Sequence, residues 1–469
     1  MTPLDLVIHG GQVVLGDAVV ETDVGVQGGR IAALGNGLRG ERSLDARGAL
    51  VLPGLVDPHV HPIHAEDLRS ASHAAVHGGV TTTLHHLYTP PDGDPLPTVD
   101  AAVREVERVS YTDVAFHVRL NDLHRTHGAI ADLVARGITS IKLFMAYGGR
   151  GIMVSDDELL LAMRAAAECG ATLLVHAENG HMSDALEAKA RAAGATTLAE
   201  YYAARPRWVE VEAVERVLRL LRAEPCPTYL VHLTCCESLA AVSAAKLDGL
   251  LVIAETCPHY LLLTADTAAP LGARAKMAPP LRDQADQDAL WRALDRGLID
   301  TVGSDHSAFV REEKEASSDV FDAGFGVPGI ATMLPLLFDR GVRAGRTSLP
   351  RLVQVLASAP ARWLGLGDRK GALHPGFDAD VVIFDPDAPF EIDAGSEHGN
   401  AYYSLYEGWR GHGRVRDVLL RGQPVIEGGT LVAEPGIGRH LPRRPRAAHG
   451  AAPASTWDPA PDPAVDPAP

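Results

Sequence analysis

The pattern of apolar and polar positions changes character twice along the chain. Residues 4–50 alternate short apolar runs with glycine turns, as in "LVIHGGQVVLG", and residues 376–436 do the same, as in "VRDVLLRGQPVIEGGTLV". This alternation is typical of short antiparallel strands. Because the two β-rich ends flank a different middle, we expect one small β-domain assembled from both ends of the chain.

The middle of the chain shows apolar runs separated by amphipathic stretches. We interpret eight of these runs as strands: "VLPGLVDPHVH", "TTTLHHL", "VAFHVRL", "SIKLFMAY", "TLLVHAE", "TYLVHLT", "LVIAETCPHY" and "IDTVGSDH". Helical patterns such as "SDDELLLAMRAAAEC" and "VEVEAVERVLRLLRA" lie between several of them. Eight strands alternating with helices over about 310 residues fit a (β/α)8 TIM barrel. The same spacing also permits a doubly wound parallel sheet.

We therefore predict an α/β protein with a TIM barrel and a small β-sandwich domain. Residues 1–50 and 369–439 form the β-sandwich, and residues 51–368 form the barrel. Residues 440–469 are rich in Pro, Ala and Asp, a composition that cannot bury an apolar core. We expect this last segment to be a disordered tail.

The charge and the ends of the chain narrow the choice of partners. With 43 basic and 60 acidic residues the net charge is -17, whereas nucleic-acid and anionic-membrane surfaces need clustered Lys and Arg. We therefore expect a small-molecule substrate, with no nucleic acid and no membrane as partner.

The start "MTPLDLVIHGG" has no signal-peptide pattern, which predicts a cytoplasmic protein. The five cysteines contain no CxxC pair, so reduced thiols are expected rather than a thiolate zinc site.

A pair of histidines marks the end of the first predicted barrel strand. His59 and His61 lie two residues apart in "GLVDPHVH", so both side chains face the same side and can bind one metal ion. Two loop histidines would explain this pair equally well. However, His176, His232 and Asp305 also follow apolar runs, at the ends of the fifth, sixth and eighth predicted strands. Barrel enzymes place their active sites at this end of the strands, and such N/O ligands suit zinc, with manganese, cobalt or nickel as alternatives.

Lys142 lies in the apolar strand "SIKLFMAY" at the level of these candidate ligands. An ammonium buried without a partner is costly, so its pKa falls or it binds an anion. A neutral amine can add carbon dioxide and form a carbamate, whose two oxygens can bridge two divalent ions about 3.5 to 4 Å apart. The alternative is an ordinary lysine paired with an acidic side chain.

Several motifs together resemble one enzyme family. They are "GLVDPHVH", "GITSIKLFMAY", "VHAENG", "RPRWVEVEAV", "ETCPHYL", "KMAPPLR", "TVGSDHS", "YYSLYEGW" and "GIGRHLPR", and they extend to about residue 440. The chain resembles the cyclic amidohydrolases, namely hydantoinases and dihydropyrimidinases, with allantoinases and dihydroorotases as relatives.

The resemblance implies a binuclear metal site. By this resemblance His59 and His61 hold the more buried ion, and His176 and His232 hold the more exposed one. Carbamylated Lys142 would bridge the two ions, which we expect to be zinc. The resemblance also implies that Asp305 binds the first metal and shuttles a proton.

The resemblance further implies how substrate is bound and opened. Tyr147 would hydrogen-bond the substrate and the developing oxyanion, and the backbone near Ala278, Phe325 and Gly326 would hold the ring. A metal-bridging hydroxide would attack the ring amide of a hydantoin or dihydropyrimidine, giving an N-carbamoyl amino acid. The protein would be a homotetramer or homodimer.

The stretch after His61 departs from the family pattern. Dihydroorotases carry an arginine there for the substrate carboxylate, but this chain has Pro62 and Ile63. The stretch is also shorter than in typical hydantoinases, so the pocket mouth is either more open or rebuilt with His64 and Glu66. These departures bear on substrate preference rather than on catalysis.

Two other functions stay open at this point. The motifs "ETCPHY" and "SDHS" suit an allantoinase as well, and a scaffold or interaction protein on the same fold is a remote alternative. We expect His259 and His306 to lie behind the ligands or to be structural. We do not expect ligands among the remaining candidate histidines, which are His64, His73, His77, His85, His86, His117, His124, His127 and His181.

Overall fold

The computed structural model describes residues 4–90 and 93–446. The strands of the described residues are β1 (Leu4–His9), β2 (Gln12–Leu15), β3 (Ala18–Glu21), β4 (Asp23–Gln27), β5 (Arg30–Gly35), β6 (Gly40–Asp45), β7 (Leu50–Pro53), β8 (Leu55–Val60), β9 (Val80–Tyr88), β10 (Asp113–Arg119), β11 (Ser140–Phe144), β12 (Thr172–His176), β13 (Thr228–Leu230), β14 (Val252–Thr256), β15 (Thr301–Val302), β16 (Val381–Glu391), β17 (Arg410–Leu420), β18 (Gln423–Glu427) and β19 (Thr430–Leu431).

Helices follow most of the strands of the central region. They are α1 (Leu68–His77), α2 (Leu96–Val109), α3 (Leu123–Thr126), α4 (Ala129–Ala135), α5 (Asp156–Cys169), α6 (Gly180–Ala192), α7 (Leu198–Ala203), α8 (Arg207–Ala223), α9 (Cys236–Leu247), α10 (Pro258–Leu262), α11 (Ala265–Ala268), α12 (Gln284–Asp295), α13 (Arg311–Lys314), α14 (Met333–Leu337), α15 (Leu349–Val353) and α16 (Ala359–Trp363). None of these described helices combines the length and apolar content needed to cross a membrane.

Eight parallel strands form the predicted barrel. The strands β8 to β15 are hydrogen-bonded in the order in which they occur along the chain, and a parallel bridge between Val60 and His306 joins the last to the first. A doubly wound sheet would reverse its strand order, so the barrel prediction is confirmed. The helix α5, one of the predicted helical patterns, begins with a reciprocal cap between Ser155 and Glu158 and ends at Gly170, whose φ of 73° suits glycine.

The two ends of the chain form one β-rich domain of two sheets, as predicted. One sheet has the strand order β5-β4-β1-β6, and the other has the order β19-β18-β17-β16-β7-β2-β3. Side chains from both sheets share one apolar core, in which Ile8 and Val26 of the first sheet meet Val51 and Ile383 of the second. The short apolar runs of residues 4–50 bury little area alone, and they become stable by packing on strands from the other end of the chain.

The boundary between the domains differs from the prediction. We expected the barrel to begin at residue 51, but β7 pairs with β16 and β2 in the sandwich. The first strand of the barrel is β8. Gly54 separates the two strands, and a Cβ there would lie 2.1 Å from the Thr81 hydroxyl oxygen. The apolar pattern runs through both strands because both are buried, so it does not mark the change of sheet.

The start of the predicted tail also needs correction. Residues 440–446, which we assigned to a disordered tail, pack on the barrel: Leu441 is buried, and its amide donates to the Val114 carbonyl at 2.7 Å. The buried Arg443 guanidinium donates to the Phe116 carbonyl and the Ser140 hydroxyl, both at 2.5 Å. Two anchoring side chains are too few to change the overall composition of this proline-rich segment, so the composition still predicted a disordered tail. The rest of the predicted tail, residues 447–469, lies outside the described residues.

Candidate active site

The predicted ligands come together at the carboxyl ends of the barrel strands. His59 lies on β8 and His61 directly follows it; Lys142 lies on β11, and His176 ends β12. His232 and Asp305 lie in the loops after β13 and β15. Parallel strands in a closed ring point their carboxyl ends to one mouth, so residues far apart in sequence become neighbours.

Asp305 joins the two histidines of the HxH pair. Its Oδ1 lies 3.2 Å from the Nε2 of His59 and 3.0 Å from the Nε2 of His61. The Nδ1 of His176 lies 2.9 Å from the Nε2 of His232, and the ring centres of His59 and His232 are 5.6 Å apart. The histidines therefore form two adjoining pairs rather than two separate sites.

Lys142 lies among these groups, and its ammonium is 5.0 Å from the centre of the Phe144 ring. The side chain is 1% exposed, and its ammonium forms no hydrogen bond or ion pair within residues 4–90 and 93–446. Burial lowers the pKa of Lys142 to about 8, although the charges of Asp305 and Glu255 oppose the shift. The amine is therefore close to losing its proton near neutral pH.

The site also contains buried nitrogens without hydrogen bonds. The Nδ1 of His232 has no hydrogen-bond partner in the described residues, and the Nε2 of His59 has none either, although the Asp305 Oδ1 lies 3.2 Å from it. Burial holds the pKa of both imidazoles well below the ordinary value, so both rings are neutral. Neutral imidazoles with free lone pairs beside a carboxylate are a donor set that suits a divalent metal ion.

Three residues of the site have left-handed backbones. The φ angles are 70° for Tyr147, 42° for His232 and 48° for Asp305. This region is costly for residues other than glycine, and such strain persists where the surrounding structure imposes it, often at active sites. The strand-end loops thus hold these side chains in positions that an unstrained chain would not favour.

Sequence reasoning missed the acid that orients the first histidine. Glu255, on β14, is fully buried; its Oε1 is 2.7 Å from the Nδ1 of His59 and accepts from the His232 amide at 3.1 Å. The Tyr229 hydroxyl donates to its other oxygen at 2.8 Å. A carboxylate behind a ligating imidazole fixes the ring and raises its basicity. The only signal was an acidic residue inside the apolar run "LVIAETCPHY".

Similar partners lie behind the other histidines. The Glu178 carboxylate is 2.8 Å from the Nε2 of His176, and the buried Arg205 donates to the same oxygen at 2.9 Å. The Tyr88 hydroxyl and the Nδ1 of His61 are 2.5 Å apart. Two of these partners stand in recognisable motifs, "HAENG" and "RPRW", but their pairing depends on the closed barrel.

The predicted substrate-binding residues line one side of the same mouth. The Tyr147 ring centre is 5.1 Å from that of His176 and 5.5 Å from that of Phe325. Gly326 donates its amide to the Lys276 carbonyl at 3.2 Å, which brings it beside the segment that contains Ala278. All four predicted residues are partly buried. Burial raises the pKa of the Tyr147 phenol, which therefore stays a hydrogen-bond donor.

His64 and Glu66, which follow His61, have different surroundings. His64 stacks on Phe309 with ring centres 3.9 Å apart. Glu66, which we considered as a residue of the pocket mouth, is instead buried and accepts from the Asn400 amide at 2.7 Å. The segment around residue 400, which is distant in sequence, covers it.

Three further histidines lie near the site. His86, which we did not expect to be a ligand, stacks on His61 with ring centres 4.4 Å apart, and a nitrogen of each lies within 4.8 Å of a nitrogen of His59. His259 offers a nitrogen within the same distance of Asp305. His306 is buried and accepts from the Gly329 amide at 3.3 Å.

Comparison with known proteins agrees with this architecture. Residues 50–425 match the model of the Amidohydrolase family. The chain belongs to that family. A D-hydantoinase from Ralstonia pickettii is 36% identical to this amidohydrolase over 461 residues, which cover 94% of this chain and 99% of the relative. An allantoinase from Rubrobacter xylanophilus is 36% identical over 448 residues, covering 93% of this chain and 97% of the relative.

A solved relative has the same fold along nearly its whole length. The crystal structure of a dihydropyrimidinase from Brevibacillus agri matches this amidohydrolase with a TM-score of 0.88 and 32% identity, covering 94% of this chain and 98% of that one. The resemblance inferred from the sequence motifs is therefore confirmed at the level of family and fold.

Proposed function

We propose that this amidohydrolase is a binuclear metal-dependent hydrolase of the hydantoinase and dihydropyrimidinase type. It opens the ring amide of a cyclic ureide and releases an N-carbamoyl amino acid. The observation that carries the proposal is the meeting of four histidines, an unpaired buried lysine and a carboxylate at one barrel mouth. The similarity to a D-hydantoinase and a dihydropyrimidinase supports the choice of substrate class.

The donor set divides between two ions. His59, His61 and Asp305 would hold one, and His176 and His232 would hold the other. Carbamylated Lys142 would contribute one oxygen to each, which fits an amine whose pKa burial lowers to about 8. Two divalent ions, which we propose to be zinc, would supply Lewis acidity there and would lower the pKa of a bound water to near neutrality.

Asp305 is the group that moves the proton. Burial raises the pKa of its carboxyl, but the hydrogen bond and charge of His61 outweigh this effect, so the pKa lies below the ordinary value. The group is thus a carboxylate at neutral pH and can accept a proton from the attacking water. It then donates that proton to the departing ring nitrogen.

Tyr147 and the loop around Gly326 position the ring. The Tyr147 hydroxyl donates to the oxygen that becomes negative during attack, and a donor held by strained backbone needs little reorganisation at that moment. Backbone groups of Ala278, Phe325 and Gly326 hold the rest of the ring. Binding through backbone groups does not depend on which side chain stands at Phe325.

Allantoin is the second candidate substrate. The allantoinase relative is as identical to this chain as the D-hydantoinase, at 36% for each. Both substrates are cyclic ureides, so the same ligands and the same proton carrier would serve either reaction. The difference lies in the ring substituent at the mouth.

A substrate panel tests the proposal. Purified, metal-loaded protein is given hydantoin, dihydrouracil, 5-phenylhydantoin and allantoin, and kcat/KM is measured for each, with Asp305→Asn as the inactive control. We expect a hydantoin or dihydrouracil to exceed allantoin by about tenfold or more, a difference of about 1.4 kcal/mol. The reverse ranking would make the protein an allantoinase. If no substrate is opened and the protein binds less than about one divalent ion per chain, the proposed enzymatic function is wrong.

The cytoplasmic location and the homotetrameric or homodimeric assembly also stay predictions. Light scattering of the purified protein tests the assembly, and a monomer at micromolar concentration would contradict it. Neither prediction affects the chemistry proposed for the barrel mouth, because all the residues named above lie on one chain.

A further inference from the structure

Two buried lysines beside the substrate-binding segments have no role in the proposed chemistry. Lys276 is 1% exposed and Lys314 is 0% exposed. Across residues 4–90 and 93–446 neither ammonium forms an ion pair with a carboxylate. A buried cation is costly unless its donors are satisfied, so their partners should reveal their role.

Lys314 hydrogen-bonds to backbone carbonyls, and its ammonium also lies 5.6 Å from the centre of the Phe309 ring. Its ammonium donates to the carbonyl of Lys276 at 2.8 Å and to those of Gly324 and Gly326 at 2.9 Å each. Burial and the charge of Lys276 lower the pKa of Lys314. Only the protonated amine has three donors, however, and here three acceptors use them all. The side chain therefore joins two chain segments that are about fifty residues apart in sequence.

Lys276 binds the same loop at its other end. Its ammonium donates to the carbonyls of Phe321 and Ala323, both at 2.6 Å, and lies 4.5 Å from the centre of the Phe325 ring. Its own carbonyl accepts from Lys314 and also from the Gly326 amide at 3.2 Å. The two lysines thus bind alternate parts of one loop, residues 321–326.

This loop has little regular structure to hold it in place. Apart from a single 3-10 turn at Val320–Asp322, its backbone groups pair with the lysines rather than with a strand or helix. Gly326 has a φ of 129°, and a Cβ there would lie 2.3 Å from the Ser307 carbonyl oxygen. The ammonium groups replace the backbone partners that a regular element would supply.

The geometry points to a positioning role for this lysine pair. We propose that Lys314 and Lys276 hold the loop of Phe325 and Gly326 against the segment of Ala278, and so set the affinity for the ring. The Lys276 carbonyl is the shared point, two residues from Ala278, where both segments meet. This inference rests on the proposed function, since it concerns how that substrate is bound.

Lys314→Met tests the role, because methionine keeps the length and removes the three donors. We expect KM for the preferred cyclic ureide to rise about tenfold, with a smaller fall in kcat, since Asp305, Tyr147 and the metal ligands are not touched. Hydrogen exchange at the amides of residues 324–327 should become faster. A merely structural lysine would lower the thermal stability and leave KM unchanged.

Lys246→Met is the matched control. Lys246 donates to the Leu298 carbonyl at 2.9 Å and to Asp300 at 2.6 Å, before the start of β15 and thus at the opposite end of the barrel. This variant should lower thermal stability without changing KM. If Lys314→Met does not fold, Lys276→Met tests the same contact between the loop and the Ala278 segment, because Lys276 binds the carbonyls of Phe321 and Ala323. The same increase in KM is expected.

Two results separate this inference from the proposed function. If the folded, metal-loaded variants keep KM within about twofold of wild type and keep wild-type exchange at residues 324–327, the positioning role is wrong. If the wild-type protein opens no cyclic ureide, the proposed function fails instead. Hydrogen exchange would then still decide whether the lysines hold the loop, and unchanged exchange would overturn the inference.

Discussion

Two ends of the barrel each bury a lysine, and they treat it in opposite ways. At the carboxyl ends of the strands Lys142 is 1% exposed and unpaired among the described residues. At the other end, where the barrel meets the β-domain, Lys370 is 2% exposed, and its ammonium lies 2.7 Å from both Asp113 and Asp380 and 3.1 Å from Asp378. Equal burial therefore serves two purposes.

The pKa values follow the surroundings. Burial lowers the pKa of both lysines, but around Lys370 the charges of Asp380, Asp113 and Asp378 outweigh it and raise the pKa above the ordinary value. Around Lys142 the opposing charges are weaker, and its pKa falls to about 8. A buried cation with its partners holds two domains together, whereas one without them is available for chemistry.

The largest expected effect is that of Lys142→Ala. Removing the amine removes the proposed bridge, so the metal content should fall and kcat/KM should drop by about a thousandfold or more, roughly 4 kcal/mol. Metal analysis and ring-opening assays measure both effects. Acetate or propionate should restore part of the activity, because a free carboxylate can enter the space left by the side chain.

The matched variant is Lys142→Arg, which keeps a cation of similar length that cannot form a carbamate. It should lose activity and should not respond to added carboxylate. Full activity of Lys142→Ala without rescue would show that no bridge is needed. The comparison between the two lysines would then concern stability alone, because Lys142 would have no role in the chemistry.

Lys370→Met should affect stability instead of chemistry. It removes the ammonium shared by Asp378 and Asp380 and leaves Asp113 with the Arg421 guanidinium. Breaking such a network costs about 3 to 5 kcal/mol of the free energy of unfolding. Urea unfolding measures this change. The folded fraction should keep the wild-type metal content and KM, and a loss of metal with unchanged stability would contradict the assignment.

Glu255→Gln gives the smallest of the three effects. Burial raises the pKa of Glu255 to about 8, so the group is close to ionising at neutral pH. The amide keeps a polar contact with His59 but cannot become a carboxylate behind the ring, so metal affinity should weaken by about 10- to 100-fold. Competition with a chelating dye measures this affinity directly. Tyr229→Phe is the control, because it leaves the Glu255 carboxylate in place and removes one of its hydrogen bonds. Equal affinity in Glu255→Gln and wild type would assign the glutamate a structural role.

The predicted and observed sites differ in a consistent way. The candidates His59, His176 and Asp305 lie near the end of an apolar run or just after it, and Lys142 interrupts one. The local pattern alone therefore marked them. Their partners in the structure were missed because nothing local distinguishes an acid such as Glu255 from any other buried polar residue. Its role depends on the 2.7 Å distance to His59, which lies 196 residues away.

Local patterns determined the strands, the main helices, the assembly of a β-domain from both ends and the set of residues at the barrel mouth. These features depend on periodicity and on which residue ends a strand, and both can be read along the chain. Only the folded chain decided where the chain passes from the sandwich to the barrel after β7, why Leu441 and Arg443 stay on the barrel, and which buried lysine is paired. These depend on contacts between segments far apart in sequence, where burial and partner together set the charge of a side chain.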